Sequence, residues 1–551
     1  MSTHRTDSRW LPLSAIALAA AITAAPAHAG GTLIGWASMP ANTPAEGPTT
    51  GQFAIGGFGA NDTLLPMAHG QAVQGFSAVL PGPTAQSFYV MPDNGFGTKA
   101  NSADALLRMY ALQPDFKTWN GQTTTGSGTV APVTFKKGHS ETSFVRSTFI
   151  GLHDPDHKIG FPTQADFTNY YNIASNPPVD VSIRAARLLT GADFDIESVR
   201  TDKKGNLWFG EEFGPFLVKT DASGKVLRQE IQLPNIAPAG STSTGAWVQS
   251  PQNPYLAGAT ANLGGSRGFE GMAINPSRDK LYTLLEGSVT GDAAKTLRIN
   301  EFDIDTERYT QRVWKYKLDA AGTNIGDMTA VNDHEFLVLE RNGTTATSTS
   351  GTPFKKVFKI DINKLDADGN VDKVEIVDLM NIADPHDLNG DGSATFTFPY
   401  VTIEDILILD STTILVMNDN NFPGGGGRSA APDINEFLKI KLDTPLNLQQ
   451  PVPLPGRTHH DHDEDHGAHG NYDGDQANRT SRGAGERRGD EAERSFFRAI
   501  LFSRNIASAF AYMQLHLECR TRLEIADNKV WVHHLEVRQC LAYHTCGEYF
   551  L

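Results

Sequence analysis

The stretch "GFEGMAINPSRDKLYTLLEG", residues 268–287, places Glu270 between Phe269 and Gly271 and ends the apolar run that begins at Leu281 with a second carboxylate, Glu286. Between the two acids lie two short apolar segments joined by "PSRDK", a turn-forming sequence of the kind that closes a tight hairpin. The same arrangement recurs. Residues 191–215 read "GADFDIESVRTDKKGNLWFGEEFGP", 325–343 read "IGDMTAVNDHEFLVLERNG", and 402–423 read "TIEDILILDSTTILVMNDNNFP". In each, an acid precedes one strand and an acid or amide follows the next: Glu197 and Glu211, Asp327 and Glu340, Glu404 and Asp419 with Asn420. A weaker copy at 75–97, "GFSAVLPGPTAQSFYVMPDNGFG", has Ser77 at the first place and Asp93 at the second.

Further strand-like pairs follow several copies, such as "FLVKTDASGKVLRQEIQL" and "LRINEFDIDTERYTQRVWKYKL". Repeated units of four short antiparallel strands, without βαβ alternation, predict an all-β protein of the β-propeller type. The copy spacing predicts about six blades, with five or seven also compatible, because the interval between the copies near 75 and 195 has room for one more. In a propeller the innermost strands line a central channel, so an acid at the same place in each blade becomes a ring of carboxylates. Mutual repulsion makes such a ring costly unless a cation sits within it. The competing expectation is that these acids form turns or blade-to-blade hydrogen bonds.

The motifs "DIES", "GEEFGP", "GFEGMA", "LERNG" and "NDNNFP" resemble those of the phytase-like domain family, described as esterase-like activity of phytase, over roughly residues 50–443. The resemblance implies a β-propeller and hydrolysis of phosphate or other esters. Oxygen donors suit a hard cation, so calcium is the expected ion. Glu197, Glu211, Glu404, Asp419, Asn420, Asp327 and Asp93 are the candidate metal ligands. Glu270, Glu286, Glu212 and Glu340 are the candidate catalytic groups. Arg267, Arg341 and Lys219 are the cations expected to meet an anionic ester. The alternative is a non-catalytic propeller that binds a ligand or protein and uses calcium for stability. "GGSRG" at 264–268 matches G-x-S-x-G through Ser266, but it leads into a strand rather than a helix, so metal-activated water is the expected nucleophile. "DLNGDG" at 387–392 begins like an EF-hand loop, yet its twelfth position is Phe398 rather than glutamate.

The 551 residues divide into four expected parts. Residues 1–29 carry Arg5 and Arg9, the apolar run "LPLSAIALAAAITAA" and "AHA" ending at Ala29, the pattern of a secretory signal peptide. Residues 30–450 form the propeller, 451–494 a polar linker containing the tract "HHDHDEDHGAH", and 495–551 a partly helical C-terminal extension outside the propeller. All three cysteines, Cys519, Cys540 and Cys546, fall in that extension. Removal of 1–29 leaves 45 basic against 62 acidic residues. That balance excludes nucleic acid as a partner and leaves a small ester substrate as the expected one. A monomer, periplasmic or secreted and without a membrane span after cleavage, is expected.

Overall fold

In the computed structural model, residues 30–167, 179–429 and 432–454 are described, together with two strands nearer the C-terminus. The expected signal peptide of residues 1–29, the His/Asp tract, the cysteines and the expected helical part of the C-terminal extension lie outside the described residues. The chain separates into two compact units, one ending at His460 and the other beginning at Asp461. In the second, Thr521–Ala526 pairs antiparallel with Lys529–His534.

Among its described residues the first unit contains five four-stranded antiparallel meanders, referred to as blades in chain order. Blade 1 consists of Phe76–Pro81, Phe88–Pro92, Arg108–Asp115 and Thr129–Pro132. Blade 2 consists of Ile196–Thr201, Leu207–Glu211, Phe216–Thr220 and Ile231–Gln232. Blade 3 runs through Gly271–Ile274, Lys280–Leu284, Thr296–Asp303 and Arg308–Lys317. Blade 4 contains Asn324–Ala330, Glu335–Arg341, Lys355–Leu365 and Val371–Asp378. Blade 5 takes Asp405–Asp410, Thr413–Met417 and Asn435–Leu442 from the end of the unit and its fourth strand, Gly31–Met39, from the beginning. Gly31 lies opposite Leu442 and Met39 opposite Asn435, so the two ends of the unit are joined by one antiparallel ladder.

The first hairpin of four blades is closed by an Asx-type turn. The side-chain oxygens of Asp202, Asn275, Asn332 and Asp410 accept backbone N–H groups two to five residues ahead, at 2.7–3.1 Å. This is the physical reason the "DKKGN", "NPSRDK" and "NDHE" sequences turn where they do.

Strand residues alternate between the two neighbouring blades, so both faces of each blade are buried. Trp208 packs with Met272 and Phe302 of blade 3, whereas Phe209, next in sequence, packs with Met91 and Met109 of blade 1. Phe336 and Val338 meet Tyr282 of blade 3, and Leu337 and Leu339 meet Ile406 and Val416 of blade 5. The fifth core, between Leu415, Met417 and Phe437 of blade 5 and Phe76, Val79 and Tyr110 of blade 1, closes the ring. The fold is all-β and propeller-like. The sixth blade expected between the copies near 75 and 195 is not formed among the described residues. Part of that interval supplies the outer strands of blade 1, and the rest of its described residues are irregular except for short elements such as the helix Val181–Ala185.

Candidate metal and active site

The first strand of each blade begins at the same end of the channel, and in blades 1, 2 and 4 its register is broken there. Residues are bulged out of the ladder between Phe76 and Ala78, between Ile196 and Ser198, and between Ile325 and Asp327. A bulge re-aims a side chain that would otherwise alternate into a blade interface. The residues concerned are Ser77, Glu197 and Gly326. Glu270 and Glu404, each immediately before the first strand of its blade, complete this set. One step outward along the second strands stand Asp93, Glu212, Glu286, Arg341 and Asp419, separated from the first set by 15 or 16 residues in each blade.

Three acids of the inner set and four of the outer set therefore converge on one mouth. One carboxylate oxygen from each of Glu197, Glu212 and Glu270 lies within 4.8 Å of the others, and the same holds for Asp93, Asp195 and Glu197. Glu197 belongs to both groups. It is 7% exposed and Asp195 4%, yet Oε2 of Glu197 and Oδ1 of Asp195 have no hydrogen-bond partner. Buried carboxylate oxygens without partners are rare and costly, and they are the atoms a cation would satisfy.

Burial and mutual repulsion act on these groups together. Burial, then Asp195 and Glu270, push Glu197 well above the usual carboxylate range. Burial, then Glu286 and Asp195, do the same to Glu212, and burial, then Glu404 and Glu286, to Glu270. Burial raises Asp195 to about 6, and burial with Glu404 raises Asp419 to about 8. Asp419 and Asp93 flank Gly75, where an added Cβ would lie 3.1 and 3.2 Å from their Oδ1 atoms.

Blade 4 departs from the pattern twice. At Gly326 an added Cβ would lie 1.9 Å from the carbonyl oxygen of Ile403, so no side chain fits. The outer place holds Arg341, whose Nη2 donates to Glu404 Oε1 at 2.8 Å, Glu270 Oε1 at 3.0 Å and Glu286 Oε1 at 3.2 Å. Asn324 donates to Glu286 Oε1 at 2.7 Å, Arg267 also pairs with Glu286, and Ser77 donates to Glu404 Oε2 at 3.1 Å. The ring is thus divided: Glu286 and Glu404 are neutralised by arginine, while Asp93, Asp195, Glu197 and Glu212 are not ion-paired to any arginine or lysine among the described residues. Glu270 borders both halves.

Several residues singled out by sequence stand outside this cluster. Asp327, one position after the bulge, points between blades, where it pairs with Arg200 at 2.9 Å and accepts Ile406 N–H at 3.2 Å. Glu211 turns back to accept the N–H groups of Phe213 and Gly214 at 2.9 and 2.7 Å. Glu340 accepts from Tyr316 Oη and Asp319 N–H, both at 2.6 Å, and from Lys373 Nζ at 2.7 Å. Asn420 ties Gly75 N–H to the Asp433 carbonyl, each at 2.9 Å. Lys219 lies midway along blade 2 and pairs with Glu307 at 2.6 Å. Sequence reasoning passed over Asp195, although it is the first letter of the "DIES" motif. It also passed over Lys99, whose ammonium sits 4.6 Å from the Phe213 ring and is lowered by burial against the pull of Glu211, Asp193 and Asp195.

A sequence model described as esterase-like activity of phytase matches residues 71–422, which include all ten positions of the two sets. The chain belongs to this phytase-like family. A search of curated proteins finds no match to it. Among solved structures it is similar to a luciferin-regenerating enzyme at 9% identity, covering 77% of this chain and 96% of that one with a TM-score of 0.29. A β-1,3-galactosidase shares 12% identity, with 68% and 92% coverage and a TM-score of 0.33. The calcium-binding protein regucalcin from Agrobacterium tumefaciens shares 11%, with 69% and 92% coverage and a TM-score of 0.28. At these scores the structural likenesses carry no argument about this chain. Among the described residues no helix is long and apolar enough to cross a membrane.

Proposed function

We propose that this chain is a five-bladed propeller hydrolase, metal-dependent with calcium as the ion, that cleaves phosphate or related esters at the carboxylate mouth. The observation that carries the reading is Glu197, shared by two carboxylate triads and holding a buried oxygen without a partner. Asp93, Asp195, Glu197, Glu212 and Glu270 would hold the ion, and their all-oxygen donor set is what a hard cation requires. Bound there, a divalent cation supplies Lewis acidity and lowers the pKa of water.

The protein's own groups do the rest. Arg267, with its side chain 44% exposed, presents a guanidinium to incoming anions while Glu286 holds it in place. Arg341 is buried and fixes Glu270 and Glu404, so the carboxylates bordering the site are oriented before substrate arrives. Asp419, raised to about 8, retains a proton at neutral pH and is suited to donate it to a leaving oxygen. Export guided by residues 1–29, and action as a monomer in the periplasm or outside the cell, belong to the same proposal.

One observation favours the second reading, a non-catalytic binding propeller with structural calcium: Glu197, Glu212 and Glu270 are 7%, 4% and 3% exposed, which is deep for groups that must meet substrate. Assays with phytate, p-nitrophenyl phosphate, bis-p-nitrophenyl phosphate and p-nitrophenyl acetate, each with and without calcium, separate the two. Calcium-dependent turnover of any phosphate ester supports the hydrolase. Calcium binding that raises the melting temperature, with no turnover of any of the four, supports the second reading.

A further inference from the structure

The opposite end of the channel has a chemistry of its own. Where the first strands end, a cavity of about 690 Å³ opens between the blades. That volume is within the roughly 300–1,000 Å³ typical of small-ligand sites. Its wall includes Leu80, Tyr89, Phe135, Ile274, Leu407 and Leu409, all only partly buried: each packs against a blade core and leaves the rest of its apolar surface to the space. Its charged lining residues are Lys136, Arg200, Lys204 and Arg278, and no Asp or Glu lines it among the described residues. On a chain of net charge −16, an apolar hollow rimmed by four cations and no acid is not what composition would produce by default.

The four cations divide by role. Arg200 is committed to Asp327 and the Met328 carbonyl, at 2.9 and 2.8 Å. Arg278 donates to the carbonyls of Thr201 and Val452, at 2.8 and 3.0 Å. Lys136 and Lys204 are exposed and enter no ion pair among the described residues. One side of the cavity is formed by the segment that follows blade 5, which crosses the mouth instead of leaving it. Gln449 N–H donates to the Val331 carbonyl at 2.9 Å, Val452 N–H to the Pro276 carbonyl at 2.8 Å, and Asn332 Nδ2 to the Asn447 carbonyl at 3.0 Å. Leu448, Pro451 and Leu454 of this segment line the space. The hollow is therefore walled by ordered elements from several blades and a pinned strap.

We propose that this cavity is a second binding site, separate from the carboxylate mouth, for a small amphipathic anion: an apolar body lodged against the strand ends, with one anionic head group held by Lys136 and Lys204. Apolar walls supply affinity and the lysine ammonium groups set the sign of the charge accepted.

The probe is dodecanoate, titrated calorimetrically into the full chain in EDTA and again in calcium. Saturable one-to-one binding is expected, with an affinity changed less than threefold by calcium. The double variant Lys136→Glu/Lys204→Glu, both exposed positions, is expected to weaken it at least tenfold while leaving the melting temperature unaltered. Dodecyltrimethylammonium, with the same chain and opposite charge, is expected to bind at least tenfold more weakly. Absence of dodecanoate binding, equal binding of the two head groups, or full affinity in the double variant would each overturn the proposal.

Discussion

The two mouths of the channel are made from opposite ends of the same five strands, and they have been driven to opposite solutions. At the entrance to three of the first strands the ladder is broken, buried carboxylate oxygens lack partners, and carboxylates face one another at ligand distances. At the exit the lining residues are apolar or cationic, and the strap 447–454 is hydrogen-bonded across the opening. The strand interior in between is committed to packing neighbouring blades. A fold of this kind is therefore free to vary its chemistry only at strand ends, and it does so independently at each.

The strongest test of that division removes Arg341, the buried cation that bridges three carboxylates of the acidic mouth. Arg341→Met leaves three buried carboxylates without their shared partner, and breaking such a buried network costs about 3–5 kcal/mol. Denaturant unfolding in EDTA should register most of that loss, with dodecanoate binding at the far mouth unchanged in the fraction that remains folded. A variant as stable as the parent would mean that Arg341 is not what neutralises Glu270, Glu286 and Glu404.

Next in size is the contrast between carboxylates inside and outside the cluster. Glu197→Gln should lower calcium affinity at least tenfold in a calorimetric titration, since both triads lose a ligand charge. Glu270→Gln should do so less, and Glu286→Gln least, because its carboxylate is already held by Arg341 and Arg267. Glu340→Gln should leave calcium affinity intact and lower the melting temperature instead. Equal calcium affinity in Glu197→Gln and the parent would remove the metal site.

The pH dependence follows from the raised carboxyl groups. With folded-state pKa values near 6 for Asp195 and 8 for Asp419 against about 4 when unfolded, the folded protein binds more protons in that window than the unfolded chain. Stability without metal should therefore fall as pH rises from about 4 to 8, and melts in EDTA between pH 5.5 and 8.5 should show the decline. Calcium should reverse it, with affinity rising over the same range and protons released on binding, as calorimetry in buffers of different ionisation enthalpy would show. A flat metal-free profile would contradict the raised values.

The smallest effect concerns the strap. A chain ending at Leu454 should melt as the full chain does, whereas one ending at Leu448 loses the Gln449 and Val452 N–H hydrogen bonds and should lose about 1–3 kcal/mol together with dodecanoate binding. If both chains bound dodecanoate equally, the strap would not be a wall of the far cavity.

The repeat was legible in sequence because turn chemistry and acid placement recur, and the hairpins fall where the Asx turns predict. The blade number was not. Residues after Asp93 look long enough for another unit, but they carry the outer strands of blade 1 and an irregular excursion, and no composition signal separates these from a blade. Site membership was readable only to within one residue. Choosing repeat acids by type puts Asp327, Glu340 and Glu211 in the ring, whereas the structure places Gly326, Arg341 and Glu212 there; Glu212 and Arg341 are named from the sequence too, but as a catalytic group and a substrate cation rather than as ring positions. A glycine cannot be found by looking for carboxylates, and the bulge that sets the register leaves no mark in the sequence. The far cavity had no signature at all, since its apolar walls are continuations of strands that read as core.

The N-terminal strand of blade 5 has a consequence for how this protein is made. Trp36 Nε1 donates to Glu436 Oε1 at 2.9 Å across 400 residues of chain, and the whole ladder around it has a similar separation. Lengthening a loop adds little to its closure entropy, about 0.6 kcal/mol per doubling, so the cost falls on kinetics rather than on final stability. During synthesis residues 31–39 emerge long before 435–442, and although one edge of this strand can bond to Lys117 and Gly128, the other stays unpaired until 435–442 arrive, so neither the fifth blade nor the cores on its two sides can form earlier. The nascent chain is thus a row of blades with an open seam, exposed to wrong pairing for nearly the whole of its elongation.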